Sequence, residues 1–83
     1  MKTIVLTAHA KAVIHERGLA FAWVERAVRV PQWIERDPSS IEVRRCFRAI
    51  PEYGNRYLRV AVVETATEFR IISVFFDRGA RPK

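Results

Sequence analysis

The chain of 83 residues has one cysteine, two histidines and three glycines, and no long uncharged stretch. The single cysteine, Cys46, excludes an internal disulfide and is typical of a reducing compartment. With so few histidines and cysteines we find no zinc-ligand spacing, and there is no glycine-rich phosphate loop or Ser-His-Asp set. The longest uncharged stretches, such as 3–10 and 71–76, are far too short to span a membrane, and the apolar run at 3–6 is too short for a signal peptide. We therefore expect a cytoplasmic protein with no metal, cofactor or membrane association.

Acidic residues are also few. The chain has nine Asp and Glu and 15 Lys and Arg, which gives a net charge of +6. The excess lies in residues 44–83, which hold nine cations and four acids, whereas residues 1–43 are nearly balanced. Most of the cations are arginine, whose planar guanidinium forms bidentate contacts with phosphate or carboxylate. This imbalance predicts a polyanionic partner, but it does not name a reaction.

The order of the apolar residues predicts one α+β domain of two layers over residues 1–83. A helix capped by Thr7 runs to Arg17 and stops at Gly18, and a second helix runs over 20–29 before Pro31. Alternating patterns at 41–48 and 57–62 and a continuous apolar run at 69–76 predict three antiparallel strands. Residues 4–6 allow a fourth, short strand before the helical hairpin. The basic tail at 78–83 is expected to be mobile.

Several short motifs occur in a fixed order along the chain: Thr7-Ala8-His9-Ala10, Glu16-Arg17-Gly18-Leu19, Pro31, Arg56-Tyr57-Leu58-Arg59-Val60 and Ile71-Ile72-Ser73-Val74-Phe75. The series resembles the bacterial family called domain of unknown function 4258, which is itself similar to RelE, ParE and BrnT toxins. The resemblance covers about residues 7–77 and implies a helical hairpin on an antiparallel sheet. RelE-like toxins cleave mRNA on the ribosome, ParE-like proteins act on gyrase, and many family members have no known activity. Ala20 departs from the pattern, because the family usually has a capping Ser or Thr there.

The catalytic candidates are His9, Arg45, Tyr57 and Arg59. His9 lies near the start of the first helix, where the macrodipole favours a neutral imidazole that could deprotonate a ribose 2′-hydroxyl. The alternative is a His9 that only bridges hairpin and sheet by hydrogen bonds. Tyr57 would protonate the leaving oxygen and Arg59 would bind the phosphate. Arg45 shares the alternation of the inward apolar residues, so it either lines a cleft or pairs with Glu16 or Glu25.

The nucleic-acid-binding candidates are Arg44, Arg48, Arg59, Arg78 and Arg81. Strand alternation predicts that Arg44 and Arg48 face outward together with Tyr57 and Arg59, forming a basic and aromatic surface suited to single-stranded RNA. Arg17 could bind a phosphate. Its position just before Gly18 favours the alternative, in which it donates hydrogen bonds to the free carbonyls at the end of its own helix. Cys46 is interpreted as a small, half-exposed residue rather than a nucleophile.

These features favour an RNA-binding, toxin-like protein, with endoribonuclease activity by 2′-hydroxyl attack as the activity that the resemblance implies. RNA, including ribosome-bound mRNA, and an acidic antitoxin are the expected partners, and the chain is expected to be a monomer or weak homodimer. Two alternatives stay open. One is a non-enzymatic module whose basic face binds an acidic protein, and the other is an accessory domain that binds DNA or RNA.

Overall fold

A computed structural model describes residues 2–82, which fold into two helices on one face of a five-stranded sheet. The elements in chain order are β1 (Thr3–Leu6), α1 (Ala8–Arg17), α2 (Phe21–Arg29), β2 (Trp33–Asp37), β3 (Ser40–Ile50), a 3₁₀ turn (Pro51–Tyr53), β4 (Arg56–Glu64) and β5 (Glu68–Phe76). The α+β prediction is confirmed. The sheet has five strands rather than three or four, because residues 33–37 form a full edge strand.

The strand order is β1-β5-β4-β3-β2, with β1 parallel to β5 and all other neighbours antiparallel. The two helices connect β1 to the meander β2 to β5, and this crossover allows β1 to pair in parallel with the last strand. The first and last segments of the chain are therefore neighbours at one edge of the sheet.

The predicted boundaries of the first helix are confirmed. The Thr7 hydroxyl accepts a hydrogen bond from the Ala10 N–H at 3.2 Å and donates one to the Ile71 carbonyl at 2.8 Å. Thr7 thus caps α1 and ties its first turn to β5. Gly18 ends the helix with φ of 61°, a left-handed conformation that favours glycine. Ala20 precedes α2 and makes no side-chain cap bond, as expected for a residue without a hydroxyl.

The main core lies between the helices and one face of the sheet, which we call the helix face. Val24 and Val28 of α2 pack against Cys46, Val60 and other buried strand residues. The opposite face, which carries no helix, is called the open face. It also holds buried residues, since Phe47 is 2% exposed and Ala61 is 8% exposed.

The predicted orientation of β3 is wrong. Cys46 pairs with Val60 and Arg48 pairs with Leu58, so both lie on the helix face, while Phe47 pairs with Arg59 on the open face. Alternation could not orient this strand, because apolar side chains are buried on both of its faces. Ile41, expected inside, is 82% exposed near the β2–β3 turn.

Candidate nucleic-acid interface

The open face carries an aromatic cluster on its β2 side. The Trp33 and Phe47 rings stack with centroids 4.7 Å apart, and Tyr57 meets Trp33 edge-on at 5.2 Å. These residues come from three neighbouring strands, β2, β3 and β4. The stack buries Phe47 without any helix above it, which explains how a bare sheet face can hold an apolar residue.

Arg45 and Arg59 lie on the same open face, and each has an aspartate partner. Arg59 Nη1 lies 3.1 Å from Asp77 Oδ2, and its guanidinium is 4.5 Å from the centre of the Phe75 ring. Arg45 Nη2 lies 3.4 Å from Asp37 Oδ2, at the end of β2. Both arginine side chains are less than one-quarter exposed, at 22% and 24%. A partly buried guanidinium needs an acidic partner. The charges of these two arginines are therefore neutralised within the protein.

The loop after β2 fixes the acid that pairs with Arg45. The Ser39 hydroxyl and backbone N–H both donate to Asp37 Oδ1, at 2.6 and 2.8 Å. Hydrogen bonds from Ser39 hold the pKa of Asp37 below its ordinary value, and the nearby Arg45 charge adds a smaller effect. The partner of Arg45 is thus neither Glu16 nor Glu25, the two acids considered from the sequence.

A second group of arginines surrounds a cleft at the end of the sheet where β4 begins and β5 ends. The Asp77 N–H donates to the Tyr57 carbonyl at 2.9 Å, which places the residues after β5 beside the start of β4. Two adjoining cavities share Arg56, Phe76 and Arg78 in this region. We call the whole region the arginine cleft, and its members include four guanidinium groups: Arg17, Arg56, Arg78 and Arg81.

The first cavity, called the Tyr57 lobe, has a volume of about 250 Å³. It is lined by Arg56, Tyr57, Phe76, Asp77, Arg78, Ala80 and Arg81. The lobe is lined by a tyrosine and three arginines, residue types that together can bind phosphate and donate a proton. Its one acid, Asp77, is already bound to Arg59 and to the Gly79 N–H.

The second cavity, called the Tyr53 lobe, has a volume of about 360 Å³. It is lined by Arg17, Leu19, Tyr53, Arg56, Phe75, Phe76 and Arg78. Tyr53 stacks on Phe76 with ring centroids 4.4 Å apart, and the Arg56 guanidinium lies 5.7 Å from the Tyr53 ring. This lobe therefore combines three cations with an aromatic wall.

The predicted catalytic residues are only partly brought together. Tyr57, Arg59 and Arg45 share the open face, but His9 lies in the first turn of α1, which is tied to Ile71 through Thr7. Ile71 lies within β5, and Asp77, whose N–H binds the Tyr57 carbonyl, follows six residues later, just past the end of β5. Six extended residues span about 20 Å. His9 is therefore far from Tyr57 along the sheet, and it lies on the helix face.

The predicted nucleic-acid-binding residues divide between the two faces. Arg44 and Arg48 lie on the helix face, where Arg44 pairs with Glu64 at 3.0 Å and Arg48 donates to the Val30 carbonyl at 2.7 Å. The predicted common surface of these two with Tyr57 and Arg59 is therefore wrong. Arg78 and Arg81 line the Tyr57 lobe. Ala80 between them is 7% exposed, while Lys83 of the predicted mobile tail lies outside the described residues.

The sequence analysis missed Arg56 and Tyr53 as site residues, and for Arg17 it favoured a role in its own helix over phosphate binding. Gly54 and Asn55 turn the chain with φ of 65° and 58°, and Arg56 follows at once as the first residue of β4. In the sequence this turn is visible as an interruption between the two strand patterns at 41–48 and 57–62. Its position beside the residues after β5 follows only from the strand register. Arg17 makes no hydrogen bond to a helix carbonyl within the described chain; the Gly18 N–H serves that end instead.

Cys46 is buried rather than half-exposed, and burial raises the pKa of its thiol to about 11, which leaves it unreactive at neutral pH. Among residues 2–82 no three His, Cys, Asp or Glu side chains converge as a metal site would require. Neither described helix is long and apolar enough to cross a membrane.

Comparison with known proteins identifies a family match. The family model described as "Domain of unknown function (DUF4258)" matches residues 6–76, which is most of the chain. No curated protein and no solved structure matches significantly. The matched segment contains α1, α2 and strands β2 to β5, so it covers both lobes of the cleft except for the residues after β5. The chain belongs to the family named domain of unknown function 4258.

Proposed function

We propose that this protein binds single-stranded RNA, and that the arginine cleft holds the phosphate backbone. The observation that carries this proposal is the convergence of Arg56, Arg78 and Arg81 on a cavity that Tyr57 also lines. These arginines have no acid as an ion-pair partner among residues 2–82, and each is exposed. When such cations bind phosphates, they displace the counterions condensed on the nucleic acid, and this release is a main source of nucleic-acid affinity.

Aromatic side chains at the cleft support RNA rather than duplex DNA. Tyr57 lines one lobe and Tyr53, 44% exposed, lines the other. Exposed aromatic rings beside arginines can stack on the unpaired bases of a single strand, whereas bases in a duplex are not available for stacking. The resemblance to RelE-like toxins points in the same direction.

The test compares two double variants with equal loss of charge. Arg56→Gln with Arg78→Gln removes two cations from the cleft, while Lys11→Gln with Arg36→Gln removes two exposed cations from α1 and β2. Fluorescence anisotropy with a 5′-hydroxyl single-stranded RNA should show a loss of about 30-fold for the cleft variant and a small loss for the control. The salt slope, the dependence of log K on log salt, should fall in magnitude by about 1.4 for the cleft variant, since single strands give about 0.7 per phosphate contact.

Two results would contradict RNA binding at the cleft. If both double variants lose the same affinity, the binding is a general effect of net charge. If the wild-type protein binds no RNA at low salt, the proposal fails, and an acidic partner protein becomes the better explanation for the same unpaired arginines.

RNA cleavage is a second candidate, and the placement of Tyr57 favours it. In 2′-hydroxyl attack the 2′-oxygen forms a bond to phosphorus and gives a 2′,3′-cyclic phosphate, while the bond from phosphorus to the 5′-oxygen breaks. The leaving 5′-oxygen takes a proton, which the phenol of Tyr57 could donate. The arginines of the lobe would stabilise the charge that develops on the phosphate. His9 is too far away to be the base, and Asp77 already uses both carboxylate oxygens, with Arg59 and with the Gly79 N–H. The proton of the attacking 2′-hydroxyl therefore passes to water.

Cleavage is tested with Tyr57→Phe, which removes only the hydroxyl. We expect growth arrest on expression of the wild-type protein, loss of that arrest in the variant, and RNA affinity within about twofold of wild type. Arg59→Ala would be a poor substitute, because Arg59 is partly buried against Asp77 and Phe75 and its loss would disturb the fold. Equal RNA cleavage by wild type and Tyr57→Phe would remove Tyr57 from the mechanism.

A further inference from the structure

The Tyr53 lobe is distinguished by the number of cations that meet there. Arg17 comes from the end of α1, Arg56 from the start of β4 and Arg78 from the segment after β5, and all three line one cavity. The lining contains no acidic residue among those that the structure describes. Three separate elements thus contribute one guanidinium each to the same concave site.

These three arginines differ from most others in the protein. Arginines 26, 29, 44, 45, 59 and 70 each form an ion pair with an Asp or Glu. Within residues 2–82, Arg17, Arg56 and Arg78 form none, although the chain brings them to one cavity. Like charges held close together repel each other, so an anionic ligand that binds between them is favoured by relief of that repulsion as well as by its own contacts.

The charge of the lobe matches one kind of phosphate better than another. An internal phosphodiester carries one negative charge, whereas a phosphomonoester carries about 1.5 to 2 at neutral pH and offers three terminal oxygens. Three guanidinium groups can provide several charge-assisted hydrogen bonds to such a group.

We infer that the Tyr53 lobe binds the terminal phosphomonoester of a single-stranded oligonucleotide. This inference rests on the proposed RNA binding and names the end of the strand that is recognised. The exposed ring of Tyr53, supported from behind by Phe76, provides a stacking surface for the base or sugar next to the phosphate. The rest of the strand continues into the Tyr57 lobe, which shares Arg56 and Arg78 with this one.

The first experiment tests the lobe without RNA. Phenyl phosphate and phenyl sulfate have the same ring, but the phosphate is mostly dianionic at pH 7.5 and the sulfate is a monoanion. In NMR titrations we expect phenyl phosphate to shift the Nε–H signals of Arg17, Arg56 and Arg78, with an affinity about tenfold higher than that of phenyl sulfate. Arg17→Gln should lower the phenyl phosphate affinity about tenfold, and Lys11→Gln, a change on the same helix outside the lobe, should leave it unaltered.

The second experiment identifies the end of the strand. One RNA sequence is prepared with a 5′-phosphate, with a 3′-phosphate, or with hydroxyls at both ends, and binding is measured to wild type and Arg17→Gln. We expect one phosphorylated form to bind about tenfold more tightly than the dihydroxyl form, and Arg17→Gln to abolish the difference. The form that gains affinity shows which terminus is recognised.

The outcomes separate this inference from the proposed function. If all three RNAs bind equally and with steep salt dependence, RNA binding stands and terminal-phosphate recognition is wrong. If Arg17→Gln lowers the affinity for all three RNAs by the same factor, the lobe contacts internal phosphates and the inference is also wrong. If no RNA binds, both proposals fail, whatever phenyl phosphate does.

Discussion

The arginines of the open face and those of the arginine cleft have the same chemistry but opposite environments. Arg45 and Arg59 are less than one-quarter exposed and each has an aspartate within ion-pair distance. Arg56 and Arg78 are exposed and have no acidic ion-pair partner within residues 2–82. A basic strand pattern therefore does not by itself mark a binding surface, because a partly buried guanidinium has to be neutralised by an acid within the fold.

The difference also explains where the net charge is displayed. Among residues 2–82, six of the nine acids form ion pairs with Lys or Arg, so much of the excess charge resides on cations that have no such partner there. Within the described chain, the exposed cations with no acidic ion-pair partner are Lys11, Arg17, Arg36, Arg56, Arg78 and Arg81. Four of these six lie in the arginine cleft, which makes it a strongly basic concave region.

The largest expected effect is that of Asp77→Ala on stability. The substitution leaves the Arg59 guanidinium partly buried without its partner, and it removes the acceptor of the Gly79 N–H. We expect the free energy of unfolding to fall by about 2 kcal/mol, a cost below that of a fully buried pair because both side chains retain some exposure. Urea denaturation measures the change. Labelling of Cys46 by a thiol reagent provides a second probe, since that thiol is buried in the native state.

The control for Asp77→Ala is Glu68→Ala, which removes an ion pair at the start of β5, the strand that Asp77 follows. Glu68 pairs with Arg70, whose side chain is 54% exposed, so Glu68→Ala should cost less than about 0.5 kcal/mol. A loss of similar size for Glu68→Ala and Asp77→Ala would show that partial burial is not what distinguishes the open-face arginines.

A smaller effect is expected for Arg45→Gln. Its contact with Asp37 is longer, at 3.4 Å, and Asp37 keeps both hydrogen bonds from Ser39 after the change. We expect a loss of about 1 kcal/mol in the free energy of unfolding. Because the Ser39 hydrogen bonds are the main cause of the lowered Asp37 pKa, that pKa should stay low in the variant. Carbon-detected NMR titration of the Asp37 carboxyl checks this, and a return to the ordinary value would mean that Arg45 is its main partner.

The fold could be predicted from the sequence in its local features and less well in its pairings. Thr7 and Gly18 carry cap chemistry that acts over a few residues, and both ends of α1 were predicted correctly. The edge strand β2 was not predicted as a strand, because residues 33–37 carry only a short polar alternation with little burial on one side. Its existence depends on pairing with β3, which is a tertiary interaction.

The site was harder to predict, for two physical reasons. The first is that both faces of β3 bury apolar residues, so alternation assigned Arg44 and Arg48 to the wrong face. The second is that the arginine cleft joins residues far apart in sequence, Arg17, Arg56 and Arg78, through strand register and helix position. Of its members, Arg78 and Arg81 were predicted to bind nucleic acid from the basic composition of the tail, and that role stays a prediction.

The cleft arginines should respond in the opposite direction from the open-face pairs. Arg56→Gln with Arg78→Gln removes two cations that lie close to other cations, so we expect a gain of about 0.3 kcal/mol in unfolding free energy at low salt. The gain should disappear at high salt, because screening weakens repulsion between exposed charges. Urea denaturation at two ionic strengths measures it. A clear loss of stability at both would show that these arginines are structural and would remove the distinction between the two groups.

The pair of Arg26 and Glu52 separates the effect of pairing from that of burial. Arg26 makes two hydrogen bonds to Glu52, at 3.0 and 2.9 Å, and thereby joins α2 to the 3₁₀ turn that carries Tyr53. The hydrogen bond from Arg26 is the main cause that lowers the pKa of Glu52 from 4.5 to about 2.

Since the folded-state pKa of Glu52 is the lower one, the stabilisation by its charge is complete above pH 4.5 and is lost as the pH falls towards 2. Wild type should therefore be slightly more stable than Glu52→Gln near neutral pH, and the two unfolding curves should converge as the pH approaches 2. Because the pair is exposed, we expect this difference to be the smallest of the four. A difference that persists unchanged at low pH would mean that Glu52 acts through its position in the turn rather than through its charge.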